Sequence, residues 1–494
     1  MAEYLRPGVF IEEVPPGEQP IQAVGTSTGA FVGIAERGAL NTPKLVTNWS
    51  QFVRDFGGFR RDSFLAHAVS GFFLNGGSRC YVVRVASASA AMAVAVLKDR
   101  ADPAQDTLRV QALNEGVWGN RLTVDVADGS EEPGETFKLV VKEDDEVVEV
   151  WDDLSLDPED DRYVEAVVNG QSRFIQVTDL ESDTAAPDNR PEVKSNVSLA
   201  GGADGASDIT DTAYIGNPAT RTGLYAFDTV SEINILCVPG VSTQAVVQAA
   251  VDYCDGRGDC GFIVDCPAGG TPESTKSFRE NFDSSRGWYY FPRIKALDPF
   301  TGRVQVVPPS GHVAGVFARS DGERGVHKAP SNEVVRGAVG LEYEVTDGEQ
   351  EILNPAGVNC IRAFRGRGIR VWGARTMSSE ASLRHIHKRR FLMFVQSSIS
   401  ESTQWIVHEP NDERLWGKIV RSISAFLRRQ WLEGALFGAS EGDAYYVKCD
   451  TETNPPEVRA AHQVITEIGL NIVDTAEFVI FRVAQWSGGR RITE

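Results

Sequence analysis

The 494-residue chain has no apolar run approaching the length that crosses a bilayer, so no membrane insertion is expected. It has no CxxC pair and no P-loop, and the turn after the apolar run 233–238 reads Pro239-Gly240-Val241 where a dinucleotide site would place GxGxxG. No phosphate cradle follows, and no cofactor is expected. The opening residues, Met1-Ala2-Glu3-Tyr4, lack the basic and apolar regions of a secretory signal. The expectation is assembly in the cytoplasm, with release needing lysis or another route. Seven cysteines, an odd number scattered over the chain, read as reduced thiols. The spacing of Cys254, Cys260 and Cys266 has no nearby His to complete a metal site.

Positive charge is also short, with 49 Lys and Arg against 69 Asp and Glu for a net of −20. The deficit is local. Residues 95–205 hold 27 acidic and 10 basic side chains, whereas residues 355–494 hold 15 acidic and 19 basic. Phosphates would be repelled by the acidic segment, so no nucleic-acid partner is expected. That segment reads as a solvated outer surface. A hydrophobic share of 42% belongs to a soluble globular protein, and the length calls for two to four domains.

Residues 4–14 contain a strand centred on Val9, Phe10 and Ile11, closed in by Pro7-Gly8 and Pro15-Pro16-Gly17. Those prolines prevent a tight local hairpin, so the strand must pair at a distance or join another chain's sheet. An α/β pattern follows, with a strand at 29–35, helices at 49–56 and 65–74, and a buried strand at 80–85. From Ala86 short strand-like runs dominate, at 107–112, 122–126, 137–141, 147–151 and 174–177. Glu143-Asp144-Asp145-Glu146 reads as a hairpin tip. The Gly-rich run from Leu199 to Gly205 reads as a flexible return. The strand 233–238, a helix at 243–254 and a strand at 261–265 then suggest a βαβ crossover. A helix at 273–282 and a strand around 288–291 come next.

The last part contains two long helices, at 379–399 and 412–437. In the second, Trp416, Ile419, Val420, Ile423 and Leu427 fall on one side and Arg414, Lys418, Arg421 and Arg428 on the other. The run Phe478, Val479, Ile480, Phe481 is a strand apolar on both faces and needs other structure to cover it.

Several motifs occur in a set order: Pro7-Gly8-Val9-Phe10-Ile11-Glu12-Glu13, Phe31-Val32-Gly33, and Gly71-Phe72-Phe73-Leu74-Asn75-Gly76-Gly77 before Cys80-Tyr81-Val82-Val83-Arg84-Val85. Val307-Pro308-Pro309-Ser310-Gly311-His312, Leu353-Asn354-Pro355-Ala356-Gly357, Gly366-Arg367-Gly368-Ile369-Arg370-Val371-Trp372-Gly373-Ala374-Arg375-Thr376, Glu409-Pro410-Asn411 and Cys449-Asp450 follow. As an ordered set they resemble the contractile tail-sheath family of phage tails and phage-tail-like injection systems. The resemblance implies a helical homo-oligomer around an inner tube protein, built on a baseplate and closed by a terminal cap protein. Contraction drives the tube into a target envelope, and terminal arms add strands to a neighbour's C-terminal-domain sheet. The expected fold is α/β (α+β) and multi-domain. It has an N-terminal arm (1–20), a middle domain (21–85 and 206–350), a β-rich acidic outer insertion (86–205), a C-terminal inner domain (351–477) and a C-terminal arm (478–494). Val9, Phe10, Ile11, Phe478, Ile480 and Phe481 are then the linking residues. Arg414, Lys418, Arg421 and Arg428 are candidates to face an acidic tube, against the plainer reading of a solvated helix face.

The alternative, a soluble α/β enzyme forming discrete oligomers, needs a site. Gly25-Thr26-Ser27-Thr28-Gly29 matches GxSxG, but a loop precedes Ser27 and a strand follows, the wrong context for a nucleophile elbow. Ser310 and His312 read as part of a packed turn, their side chains opposed in an extended segment. His385 and His387 would diverge by about 200° on a helix. Arg257-Gly258-Asp259 is an RGD tripeptide of the kind that chance supplies. No catalytic or metal-binding residue is expected.

Overall fold

The computed structural model describes residues 20–299, 301–478 and 480. Val9, Phe10, Ile11 and Phe481 therefore lie outside the described residues. The chain divides into two compact units. The larger comprises Gly25–Glu323 and Pro330–Phe394, and the smaller comprises Arg324–Ala329 with the described parts of Met1–Val24 and Val395–Glu494.

The larger unit is organised by a nine-stranded sheet. Its order is Glu333–Val334, Gly368–Val371, Val358–Phe364, Gly287–Phe291, Gly261–Asp265, Ile235–Cys237, Gly29–Gly33, Cys80–Arg84 and Lys44–Val46. The six strands from Val358–Phe364 to Cys80–Arg84 run parallel. Parallel strands need cover on both faces, which is why GAFVG and GFIVD are buried along their whole length. Ala30 and Val32 point into a core shared with the crossover helix Gln244–Arg257. Phe31 points the other way, onto the helices Trp49–Phe56, Leu65–Leu74 and Ser310–Arg324. The crossover helix starts where the Thr243 hydroxyl accepts from the Val246 N–H, and stops at Gly258, whose φ of 89° suits glycine.

The segment read as a turn at Ser310 is instead the first turn of the helix Ser310–Arg324. The Asp265 carboxylate, at the end of a sheet strand, accepts from the Ser310 N–H at 2.8 Å and from its hydroxyl at 2.7 Å. This side chain supplies the partner that exposed helix starts find in water. Further along, a Cβ on Gly311 would lie 2.2 Å from the Ala68 carbonyl oxygen, and one on Gly315 would lie 2.4 Å from that of Phe72. The two glycines, four residues apart, let this helix rest on the backbone of Leu65–Leu74.

His67 and His312 are buried beside that contact. Burial pushes the His312 imidazole down to about 4, with the neighbouring His67 adding to the shift. Burial lowers His67 too, against the pull of Asp298 at 3.6 Å.

Residues 94–198 form a four-stranded and a three-stranded antiparallel sheet enclosing their own apolar core, which includes Trp118, Phe137 and Leu139. The hairpin tip falls at Asp144 and Asp145, both at positive φ. The return is tied down, a correction to the flexible reading: Ala91 and Ala203 exchange two backbone hydrogen bonds, and Gly202 exchanges two more with the Asn120 side chain. Arginines join these sheets to the nine-stranded sheet's loops. Arg121 bridges Glu36 and Glu143 at 2.8 Å each, Arg60 meets Asp204 at 3.0 Å, and buried Arg84 donates to the carbonyls of Gly38 and Glu115.

The long helix expected from residue 379 begins later, as Ile386–Ser402. Before it, Ser379 is held by Asp283, and the Thr376 and Ile386 N–H groups donate to Arg384 and Ala374 across a bridge between Arg375 and His385. The second long helix is Glu413–Leu432, shorter at its end than expected. A division at residue 351 also fails to coincide with the compact units, because Val358–Phe364 and Gly368–Val371 pair into the nine-stranded sheet.

Two expectations follow for stability. Gly315→Val forces a side chain onto the Phe72 carbonyl and is expected to destabilise by about 2–3 kcal/mol or more in urea denaturation, whereas Gly322→Ala, with open space around it on the same helix, gains roughly 0.5–1 kcal/mol. His312 has a folded-state pKa below its unfolded value, so the unfolded chain takes up its proton first as pH falls. Stability is expected to drop between about pH 6.5 and 4, by roughly 1.4 kcal/mol per pH unit from this group, and His312→Gln should flatten that slope by about one proton.

Candidate functional site

The described chain begins at Pro20, and the next residues are anchored within the smaller unit. Ile21 is buried, its carbonyl accepts from Arg429 at 2.7 Å, and the Gln22 and Val24 N–H groups donate to the hydroxyls of Ser402 and Ser398. In the larger unit, Thr26 is held by a buried ion pair. Arg390 and Asp321, with side chains 3% and 5% exposed, meet through both guanidinium ends at 2.8 and 2.5 Å. The Thr26 hydroxyl donates to Asp321 at 2.7 Å, and the Thr26 carbonyl accepts from Arg390 at 2.9 Å. The guanidinium also lies over Phe317, 4.8 Å from the ring centre. A charge this deeply buried is tolerated because the opposite charge, a carbonyl and a ring face surround it. Its members are scattered through the sequence, and periodicity gave no sign of them.

In the smaller unit, the helix Glu413–Leu432 separates into the two faces read from its sequence. Leu415, Trp416, Ile419, Ile423, Phe426 and Leu427 are buried, and Val420 is half-buried. Arg414, Lys418, Arg421 and Arg428 are exposed, with Arg428 meeting Glu441 at 2.8 Å. Asp412 starts the helix by accepting from the Leu415 N–H. A two-stranded antiparallel sheet, Tyr445–Lys448 with Glu467–Leu470, belongs to the same unit, and the Tyr445 hydroxyl donates to the Ser424 carbonyl of the helix. Among the described residues each strand has only the other as its partner. The sequence reading missed this sheet because its strands are four residues long and Gly469 interrupts the second. Phe478 and Ile480 are 75% and 78% exposed, and Phe478 is in no strand.

The residues with apparent chemistry take structural positions. Ser27 sits in the loop before the strand Gly29–Gly33. Ser310 is bound to Asp265 and His312 packs against Gly71. The rings of His385 and His387 lie 5.7 Å apart, closer than a helix would place them, because His385 precedes the helix. In the RGD tripeptide Arg257 pairs with Asp259 at 2.7 Å and gives a second nitrogen to the Phe227 carbonyl. All seven cysteines are buried free thiols. Cys254 and Cys260 lie 3.4 Å apart at sulfur. Among the described residues no group of three or more His, Cys, Asp or Glu is placed to hold a metal, and no helix is long and apolar enough to cross a membrane.

Comparison with known proteins gives a consistent result. The phage tail sheath protein central domain family matches residues 213–377, and the phage tail sheath C-terminal domain family matches residues 378–485. A putative prophage major tail sheath protein of Pseudomonas aeruginosa (strain UCBPP-PA14) is 29% identical over 280 residues, covering 54% of this chain and 70% of that protein. The tail sheath protein of Escherichia phage P2 is 28% identical over 214 residues, covering 42% of this chain but only 53% of that protein. Among solved structures, the sheath complex of an extracellular contractile injection system (PVC) in its contracted state shares the fold over 99% of both chains, with a TM-score of 0.63 at 20% identity. The sheath tail protein of Listeria innocua shares it over 93% of this chain and 94% of that one, with a TM-score of 0.64 at 15% identity.

For the buried ion pair, Asp321→Ala leaves Arg390 without its counter-charge and is expected to cost about 3–5 kcal/mol in urea denaturation. The double change Asp321→Leu with Arg390→Met should recover most of that loss.

Proposed function

The chain belongs to the phage tail sheath family, and on that premise we propose that it is the structural subunit of a contractile sheath. It polymerises helically around an inner tube and shortens to drive the tube into a target envelope. The observation that carries this reading is the pair of sheath-domain matches, which together span more than half of the chain. The relatives are structural components of phage tails, prophages and tail-like particles. In keeping with them, this chain is read as a structural protein without catalytic activity.

Neighbouring subunits exchange terminal strands. Val9, Phe10 and Ile11 at one end and Phe478, Ile480 and Phe481 at the other add to the two-stranded sheet of an adjacent copy. Two features support this: the sheet's two strands pair only with each other among the described residues, and Phe478 and Ile480 are apolar yet exposed. Residues 1–20 and 478–494 are the arms, 86–205 the outer insertion, and the inner domain is the part of the smaller unit between residues 395 and 477. Arg414, Lys418, Arg421 and Arg428, exposed on Glu413–Leu432, meet an acidic tube, and the sheath's other partners are the baseplate and a terminal cap. Assembly takes place in the cytoplasm, and release needs lysis or another route. The structural reading is supported over the enzyme alternative by Ser310, bonded to Asp265, and His312, packed against Gly71.

The purified chain is expected to form long tubes or short-pitch helices in negative-stain micrographs, and deletion of Met1–Pro15 to abolish them while circular dichroism reports a folded core. Tubes that persist after the deletion would contradict strand linkage. Lys418→Glu with Arg421→Glu is expected to weaken co-sedimentation with the inner tube on the order of tenfold at low ionic strength.

A further inference from the structure

Between Glu351 and Glu380 the chain carries five arginines and no acidic residue. Four of them, Arg362, Arg365, Arg367 and Arg370, sit on the hairpin formed by Val358–Phe364 and Gly368–Val371. Arg362 and Arg370 stand directly opposite each other, an arrangement that repels unless something compensates it. Arg362 is compensated, donating to Asp347 at 2.7 Å and Gln350 at 2.8 Å. The other three are not. Among the described residues no carboxylate lies within ion-pair distance of Arg365, Arg367 or Arg370.

Two of these cations, Arg367 and Arg370, are nevertheless held in position. Arg370 donates to the Arg367 carbonyl at 3.0 Å and to the Asn332 carbonyl at 2.7 Å. The Arg367 guanidinium donates to the Asn332 side-chain oxygen at 2.8 Å and lies over Phe364 and Trp372, 5.5 and 5.7 Å from the ring centres. Those two rings pack on each other at 4.5 Å. Arg365 is exposed at the turn, where Gly366 and Gly368 adopt φ of 75° and 76° and open onto empty space. Ring faces and backbone carbonyls thus orient guanidiniums that lack an anion, in a chain whose net charge is −20.

We propose that the tip of this hairpin is an inter-subunit contact whose partner is the acidic 95–205 segment of a second copy of the chain. The proposal rests on the sheath reading for the presence of that copy. Charge complementarity selects the occupant: 27 acidic against 10 basic side chains lie in that segment, which accounts for most of the chain's net negative charge. The planar guanidinium fork suits carboxylates, and the chain's overall charge opposes a nucleic-acid polyanion.

The test uses the full chain. Arg365→Glu with Arg367→Glu is expected to raise the critical concentration for tube formation on the order of tenfold in 50 mM salt, to converge with the unchanged chain near 0.5 M salt, and to keep the same circular dichroism. Arg365→Lys with Arg367→Lys, mixed from isotopically light and heavy copies and treated with a carbodiimide, is expected to give light–heavy cross-links to carboxylates between residues 95 and 205. Reversal variants that polymerise like the unchanged chain at both salts would sink the proposal. So would cross-links confined to single copies or to carboxylates elsewhere, and so would binding of duplex DNA that the reversal abolishes. An unchanged chain that forms no polymer would remove the sheath reading and this contact together, whereas tubes indifferent to the reversal remove only the contact.

Discussion

The approach of two helices through glycine sets the geometry of the larger unit. With no Cβ at Gly311 or Gly315, the helix Ser310–Arg324 sits on the carbonyls of Ala68 and Phe72. That seat fixes both ends of the helix. At its start Ser310 reaches Asp265 at the end of a central strand, and in its last turns Asp321 reaches Arg390 and Thr26. The parallel sheet needs cover on this face, and the cover holds its place through one backbone contact and two buried carboxylates.

Much of the α/β order was legible because it depends on local pattern. The strand at 29, the helices Trp49–Phe56 and Leu65–Leu74, the crossover through Gln244–Arg257 and the tip at Asp144-Asp145 follow from periodicity and turn chemistry. The helix at Ser310 was not legible for the same reason that it packs well. Pro-Pro-Ser-Gly-His is turn chemistry locally, and only the partner helix gives its glycines a use. The late start of Ile386–Ser402 has a similar origin, since long-range bonds to Asp283 and the bridge between residues 375 and 385 outweigh the local helical pattern that begins at residue 379. Of the candidate site, the cationic face of Glu413–Leu432 was legible from period alone. The two-stranded sheet and the Arg390–Asp321 pair were not, because short strands and lone charged residues carry no period.

The uneven charge has a structural counterpart. Residues 94–198 hold most of the net negative charge, and their sheets are joined to the body by arginines, among them Arg60, Arg84 and Arg121. Burial brings the Arg84 guanidinium down to about 10, still charged at neutral pH, and it is held by backbone carbonyls. The seam between the acidic sheets and the body is therefore cationic on the body's side at Arg60 and Arg84, while Arg121 reaches back from the insertion to Glu36.

The two-stranded sheet of the smaller unit is short enough to be marginal alone, and it leans on the helix Glu413–Leu432 through the Tyr445 hydroxyl. The same helix carries four cations on its outer side. Mechanically, the sheet is seated at Ser424, one helical turn from both Arg421 and Arg428, so a pull on either strand enters the helix within its cationic stretch rather than at a distant end.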